Sequence, residues 1–240
     1  FREGRYKGRI GQFISLDTDA TSTGWPIVQG ALGVKRYRVT FKGPGGHSFS
    51  AFGLVNPAVA MGNAIARMGK LSVPSAPRTT FNIGIVGGGT SVNAIPTEVF
   101  MDVDLRSESP AELTRLDAAF QAIVRESVGD ENRARSTASG KIDAALTVTG
   151  DRPSGETART TPLVQLTAAA ATRFGFTPGY EFASTDANIP ISLGIPAIAT
   201  VQGIGGNAHA PDEWTDVDPA TSGRIARAVL ATIVAAAGTP

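Results

Sequence analysis

The chain has 240 residues, 42% of them hydrophobic and 18% charged, with a formal net charge of +1. This is the composition of a folded globular protein, and the near-neutral balance offers no field to gather nucleic acid or an anionic membrane. The absence of cysteine excludes disulfides and thiolate metal sites and agrees with a cytoplasmic protein, and no apolar run reaches the roughly 20 residues that span a bilayer.

The opening Phe1-Arg2-Glu3-Gly4-Arg5 lacks the apolar stretch of a signal peptide. Residues 12–17 read as a short buried strand ending in Asp17, followed by a polar stretch to about Gly33. From Lys35 to Lys42, Tyr37, Val39 and Phe41 alternate with polar residues, the period of a half-buried strand. Asn56-Pro57 is an N-cap followed by proline at the first helical position. Ala58, Met61, Ile65 and Met68 then make one helical face, with Gly69 as its stop. Phe81, Ile83 and Ile85 mark a second strand, and Val99, Met101, Val103 and Leu105 a third, with Phe100, Asp102, Asp104 and Arg106 on its other face. Ser109-Pro110-Ala111-Glu112 is a capping box. It opens a helix with Leu113, Leu116, Phe120 and Ile123 on one side, ending near Gly129. Ile142, Ala144, Leu146 and Val148 form a fourth strand.

The order over 35–149 is therefore β-α-β-β-α-β, a ferredoxin-like unit of four antiparallel strands with both helices on one face. From Thr161 the pattern becomes α/β. A helix runs from Thr161-Pro162 to about Phe174, and Ile195–Val201 is a continuous apolar strand of the kind covered on both faces. A last helix opens at Asp218-Pro219 with Ile225, Val229, Ile233 and Val234 inward. The reading is an α/β catalytic layer made of residues 1–33 and 150–240, short of strands and incomplete, split by an inserted unit at 34–149.

The two histidines both lie in glycine-rich segments, His47 in Gly43-Pro44-Gly45-Gly46-His47-Ser48 and His209 in Gly205-Gly206-Asn207-Ala208-His209. Imidazole is a common proton carrier and neutral metal ligand, and loops on a rigid scaffold are where it usually acts. Without thiolates, a transition-metal site must use His and carboxylates, which suits zinc, manganese or cobalt in a hydrolase.

Five segments follow one another in order: Gly45-Gly46-His47-Ser48, Gly89-Thr90-Ser91-Val92-Asn93-Ala94-Ile95-Pro96, Asp102-Val103-Asp104-Leu105-Arg106, Ser184-Thr185-Asp186-Ala187-Asn188 and His209-Ala210-Pro211-Asp212-Glu213-Trp214. With the split β-α-β-β-α-β insert, the chain resembles the co-catalytic zinc exopeptidases and deacylases, which include glutamate carboxypeptidase, peptidase T, aminoacylase and succinyl-diaminopimelate desuccinylase. The resemblance implies a partial zinc-exopeptidase catalytic layer carrying an inserted dimerisation (lid) domain. It implies that Asp17 and His209 are ligands in a two-zinc centre, with manganese or cobalt as alternatives, and that His47 reaches the partner subunit's site to donate to the oxyanion, with Asn93 in support. Arg106 and Arg152 become candidates to hold a substrate carboxylate, and the Ser184–Asn188 loop, through Thr185 and Asn188, becomes a candidate cleft lining. Asp212 and Glu213 are expected as turn and supporting groups. The substrate would be a small peptide or acyl-amino acid, and the assembly a homodimer through residues 34–149 with neither nucleic acid nor membrane as partner.

The family places a His-x-Asp segment, a bridging Asp and a Glu-Glu pair upstream of the position of Asp17. Here 16 residues precede it, with Glu3 as their one acidic residue and no histidine. The expectation is that the sequence starts within a catalytic domain, and that these residues alone neither hydrolyse substrate nor hold zinc tightly. The alternative is a non-catalytic dimerisation or ligand-binding protein derived from the same family. RNA binding on the open sheet face has little support, because the stacking aromatics it needs are missing.

Overall fold

A computed structural model of the chain describes residues 1, 3–208 and 210–238. In chain order the elements are β1 (Phe13–Ala20), β2 (Gly24–Ala31), β3 (Gly33–Lys42), β4 (Gly46–His47), α1 (Pro57–Met68), β5 (Thr79–Gly88), β6 (Ala94–Ile95), β7 (Glu98–Ser107) and α2 (Pro110–Ala134). There follow β8 (Asp143–Arg152), β9 (Gly155–Glu156), α3 (Pro162–Arg173), β10 (Thr177–Ala183), α4 (Asn188–Ser192), β11 (Ala197–Gly206), β12 (Trp214–Thr215) and α5 (Pro219–Ala237). They fall into two compact units, Val34–Asp151 and the two flanking stretches Phe1–Gly33 and Arg152–Pro240.

The central unit is a four-stranded sheet in the order β5-β7-β3-β8, with α1 and α2 packed on one face. The alternation seen in the sequence is the cause. Tyr37, Val39 and Phe41 from β3 and Val99, Met101, Val103 and Leu105 from β7 point to the helices and are buried. Opposite them lie Ala60, Ala64 and Met68 from α1 and Leu113, Leu116, Phe120 and Val124 from α2. Each large side chain buried there contributes about 1.5–3 kcal/mol. Small residues let α1 lie close to the sheet, so Ala60 and Ala64 are the deepest, and the expected Met61 and Ile65 are half-buried beside them. Both helix starts carry their caps: Ala58 N–H donates to Asn56 Oδ1 (2.9 Å) and Glu112 N–H to Ser109 Oγ (3.4 Å).

The helix α2 runs past Gly129, where the sequence suggested its end, because tertiary bonds hold the extra turn. Glu131 is buried and accepts from Asn56 N–H (3.0 Å) and from Arg135 (3.0 Å). The Asn132 side chain exchanges two hydrogen bonds with the backbone of Ile142.

In the flanking unit the sheet order is β1-β11-β2-β10, with β9 added beside β2 and β12 beside β11. The strands β1 and β11 are parallel, as are β2 and β10, while β11 meets β2 antiparallel at Ala199 and Val28. One face buries Trp25, Ile27, Ile198 and Val201 against α3 and α5, and the other buries Val28, Ala197 and Ala199 against Ile191 of α4. The apolar run at 195–201 is thus covered on both sides.

Besides the two-residue strands, two longer ones have no counterpart in the sequence pattern. The segment read as polar up to Gly33 contains β2, whose Trp25 and Ile27 are fully buried; Trp25 Nε1–H donates to Thr200 Oγ1 (2.9 Å) inside the core. The segment Thr177-Pro178-Gly179 looks like a turn, yet it begins β10. It is an edge strand, where a proline can leave its missing N–H on the unpaired side. On α5 the inward residues are Ile225, Ala228 and Thr232, whereas Ile233 and Val234, expected inward, are about half exposed. By length and composition α5 is apolar enough to cross a membrane, which the sequence reading did not anticipate; it packs on α3 and β11.

Candidate active site

His47 and Asn93 are brought together by a two-rung ladder between β4 and β6, in which Gly46 pairs with Ile95 and His47 with Ala94. Ser48 N–H donates to Asn93 O (2.9 Å), joining the two turns directly. The preceding glycines are required. Gly45 has φ +73° and Gly46 φ +153°, and a Cβ on Gly46 would lie 2.8 Å from that of Ala51. The imidazole is exposed, and its Nδ1 accepts from Phe49 N–H (3.2 Å). In neutral histidine the proton must then sit on Nε2. Asn93 is also exposed, and its Oδ1 accepts from the Ser91 hydroxyl (2.5 Å). Each side chain therefore has its acceptor occupied within its own turn and an N–H facing outward. Around them Phe49, Phe52 and Val92 are almost wholly exposed, at 87%, 84% and 101%.

Arg106 lies elsewhere on the same unit. It is near the far end of β7, roughly 26 Å along the strand from Glu98 at the His47 end. Its Nε donates to Asp104 Oδ2 (2.6 Å), and Arg36 donates to Oδ1 (2.7 Å). Partial burial raises the Asp104 carboxyl, but the bonds from Arg106 and Arg36 outweigh it and hold the group below the usual carboxylate range. Beside them Arg38 pairs with Asp102 and lies 4.4 Å over the Phe100 ring. Arg106 is thus one rung of an ion-pair ladder on the open face of the sheet, tied down where the sequence offered it as a carboxylate clamp.

In the flanking unit, the register of β1 against β11 slips between Leu16 and Thr18, making Asp17 the extra residue of a β-bulge. Its carboxylate is exposed and bonds to none of the described residues. Asp19, two residues on, lines an open cavity of about 530 Å³ with Thr18, Trp25, Glu181, Gly205 and Asn207. The glycines before His209 are of the kind that usually signals a turn. Instead Gly205 and Gly206 end β11 and pair with β12, and Cβ atoms there would strike Asp19 Oδ2 and Trp214 Nε1, each at 2.8 Å. The turn comes at Asn207, which has φ +59° and donates to Asp212 Oδ2 (2.8 Å). His209 itself lies outside the described residues, and among those described no three acidic or imidazole groups cluster to hold a metal ion.

Arg152 reaches the Ser184 carbonyl and hydroxyl, both at 3.4 Å. The loop beyond is scaffold rather than cleft lining. Thr185 is buried, and its Oγ1 accepts from Ala187 N–H (3.2 Å). Asn188 is 1% exposed. Its Oδ1 accepts from Thr185 N–H (2.8 Å), and its Nδ2 donates to Leu32 O (2.8 Å) and Pro153 O (2.9 Å). No amide group is left for a substrate. The Thr-Asp-Ala-Asn pattern gave no sign of this, because its partners lie in distant parts of the sequence. Ser91 carries a local signal instead: its spacing of two from Asn93 lets its hydroxyl reach that side chain within one turn.

Residues 30–132 match the family described as "Peptidase dimerisation domain". A comparison with curated protein sequences finds no match. Among solved structures, the chain is similar to the aminopeptidase PepT of Bacillus cereus, with a TM-score of 0.75 and 23% identity over 95% of this chain and 58% of that one. It is similar to a tripeptidase of Staphylococcus aureus, with a TM-score of 0.74 and 19% identity over 92% and 55%. A hydantoinase/carbamoylase family amidase of Burkholderia vietnamiensis gives a TM-score of 0.70 and 19% identity over 95% and 55%. The chain spans a little over half the length of these proteins. Residues 30–132 thus match a peptidase dimerisation domain, and the chain shares its fold with these solved structures.

Proposed function

We propose that this chain is part of a metal-dependent hydrolase that cleaves a peptide or amide bond in a small peptide or acyl-amino acid. One observation carries the reading: His47 and Asn93 offer two outward N–H donors from adjoining turns of the dimerisation domain, each with its acceptor already occupied. Such a pair suits a carbonyl oxygen that gains negative charge as water attacks, the kind of donor whose removal costs about 10²–10³ in kcat. In a homodimer these donors would serve the partner subunit's catalytic unit. The exposed Phe49, Phe52 and Val92 would exclude water around them.

Asp17 and His209 are the residues that would hold metal. The uncommitted carboxylate of Asp17, lifted out of the strand by a bulge, fits a ligand's role. Two zinc ions, or manganese or cobalt, would when bound supply an activated water and polarise the scissile carbonyl. Arg152, held by two long contacts, is the better candidate for a substrate carboxylate than Arg106. A cytoplasmic location suits a chain without cysteine.

The test is a mixed dimer of the enzyme that contains this chain. His47→Ala and Asp17→Ala each abolish hydrolysis of a tripeptide or an N-acetyl-amino acid. Mixing the two should restore about a quarter of wild-type activity, since half the dimers then hold one complete site. No recovery on mixing, with mixed dimers demonstrated, would remove the cross-subunit role of His47. Full activity of His47→Ala would remove His47 from the chemistry, and failure of the unmutated enzyme to hydrolyse either substrate would favour a binding function.

A further inference from the structure

An asparagine amide has a donor end and an acceptor end of nearly equal size. A site that stabilises negative charge must keep it from turning round, because the reversed amide would aim a carbonyl oxygen at the oxyanion. Packing does not do this for Asn93, which is exposed and follows the wholly exposed Val92. The Ser91 hydroxyl does. It donates to Asn93 Oδ1 at 2.5 Å, and Ala94 N–H donates to Ser91 O (3.2 Å) to close the turn that carries both.

We infer that Ser91 is a positioning residue, which fixes the Asn93 amide with Nδ2–H outward as Phe49 N–H fixes the His47 ring with Nε2–H outward. The inference rests on the reading of these two side chains as oxyanion donors. It gives the first residue of Ser91-Val92-Asn93 a role separate from the chemistry: it touches no substrate and acts through its neighbour.

A hydrogen bond to the carbonyl end holds the amide against turning about its Cβ–Cγ bond, so the three-bond coupling between Asn93 Cα and Nδ2, which follows that torsion, reports the lock in the ¹³C,¹⁵N-labelled chain. Ser91→Thr and Ser91→Val are matched in shape and differ by the hydroxyl. The threonine variant should keep the wild-type coupling, whereas loss of one net hydrogen bond, about a five- to tenfold change in the ratio of the two orientations, should move the valine variant toward the average of both. The Ser48 amide signal, unchanged in both, shows that the joined turns are intact. Equal couplings in the two variants would overturn the inference. Titration with inorganic phosphate separates it from the reading beneath. If the couplings differ as expected but phosphate moves neither the His47 nor the Asn93 N–H signals, the positioning role stands and the oxyanion reading falls. If phosphate moves both signals with equal affinity in the two variants, the positioning role falls and the oxyanion reading stands.

Discussion

Asn188 commits both amide hydrogens and its oxygen to three backbone groups, two of which, Leu32 O and Pro153 O, mark where the chain leaves and re-enters the flanking unit. Replacing it with alanine strands a buried N–H and two carbonyls, each costing about 1–3 kcal/mol when left unpaired. We expect Asn188→Ala to lower the unfolding free energy by about 2–4 kcal/mol in urea titrations. A substrate-binding role would instead leave stability intact and raise KM, so the two measurements together decide. A similar argument holds at Gly46, where alanine would meet Ala51 in a backbone conformation that L-residues avoid. Gly46→Ala should cost about 1–3 kcal/mol and displace His47. At this scale the sequence was informative where local glycine-rich motifs bring two side chains together, as at His47 and Asn93. It was uninformative where a side chain's partners are remote, as Leu32 and Pro153 are from Asn188.

Between elements, the join of β3 to α2 is a pH-sensitive contact of the central unit. Asp117, buried on α2, accepts from Lys35 Nζ (2.9 Å), Tyr37 OH (2.8 Å) and Gln121 Nε2 (3.0 Å). Burial raises the Asp117 carboxyl, but those three bonds prevail and hold it below its usual 3.8, while the bond to Asp117 holds Lys35 above its usual value. A carboxyl depressed in the folded state stabilises fully above its unfolded value and loses that contribution as pH falls through the folded one. The raised lysine contributes fully below its unfolded value and loses its share as pH rises through the folded one. The unit should therefore hold a plateau from about pH 5 to pH 10 and weaken on the acid side below about pH 4. Asp117→Asn should destabilise most near pH 7, and the gap to wild type should close towards pH 3, as followed by urea midpoints across pH. The β-α-β-β-α-β order itself was legible because strand alternation and two capped helices agree locally. The strands β2 and β10 were hidden because Pro26, Pro178 and their neighbouring glycines signal turns. They are strands through tertiary burial of Trp25 and Ile27 and through an edge position that tolerates proline.

Across the whole molecule, each unit buries a core of its own, Phe41, Met101 and Phe120 among others in one and Trp25, Leu163 and Ile198 in the other. Residues 34–151 should consequently fold when expressed alone, with a cooperative thermal transition. A dimer through this unit needs a surface, and its two edge strands differ. The strand β8 exposes Val148 among threonines, whereas β5 exposes the consecutive pair Ile85 and Val86, so both faces of that edge are apolar. Long exposed edges of this kind invite pairing with a second copy, and lysine on them is a common way to prevent it. The β5 edge also ends at Gly88, paired with Val99 beside the β4–β6 turns, so a dimer built there would hold the His47 end of each unit near its partner. Ile85→Lys with Val86→Lys should convert dimers to monomers in sedimentation equilibrium while leaving the thermal transition of 34–151 within a few degrees. Val148→Lys should leave the dimer in place. If the β8 substitution dissociates the dimer and the β5 pair does not, the assembly runs through the opposite edge, and His47 would be carried away from the partner it is proposed to serve.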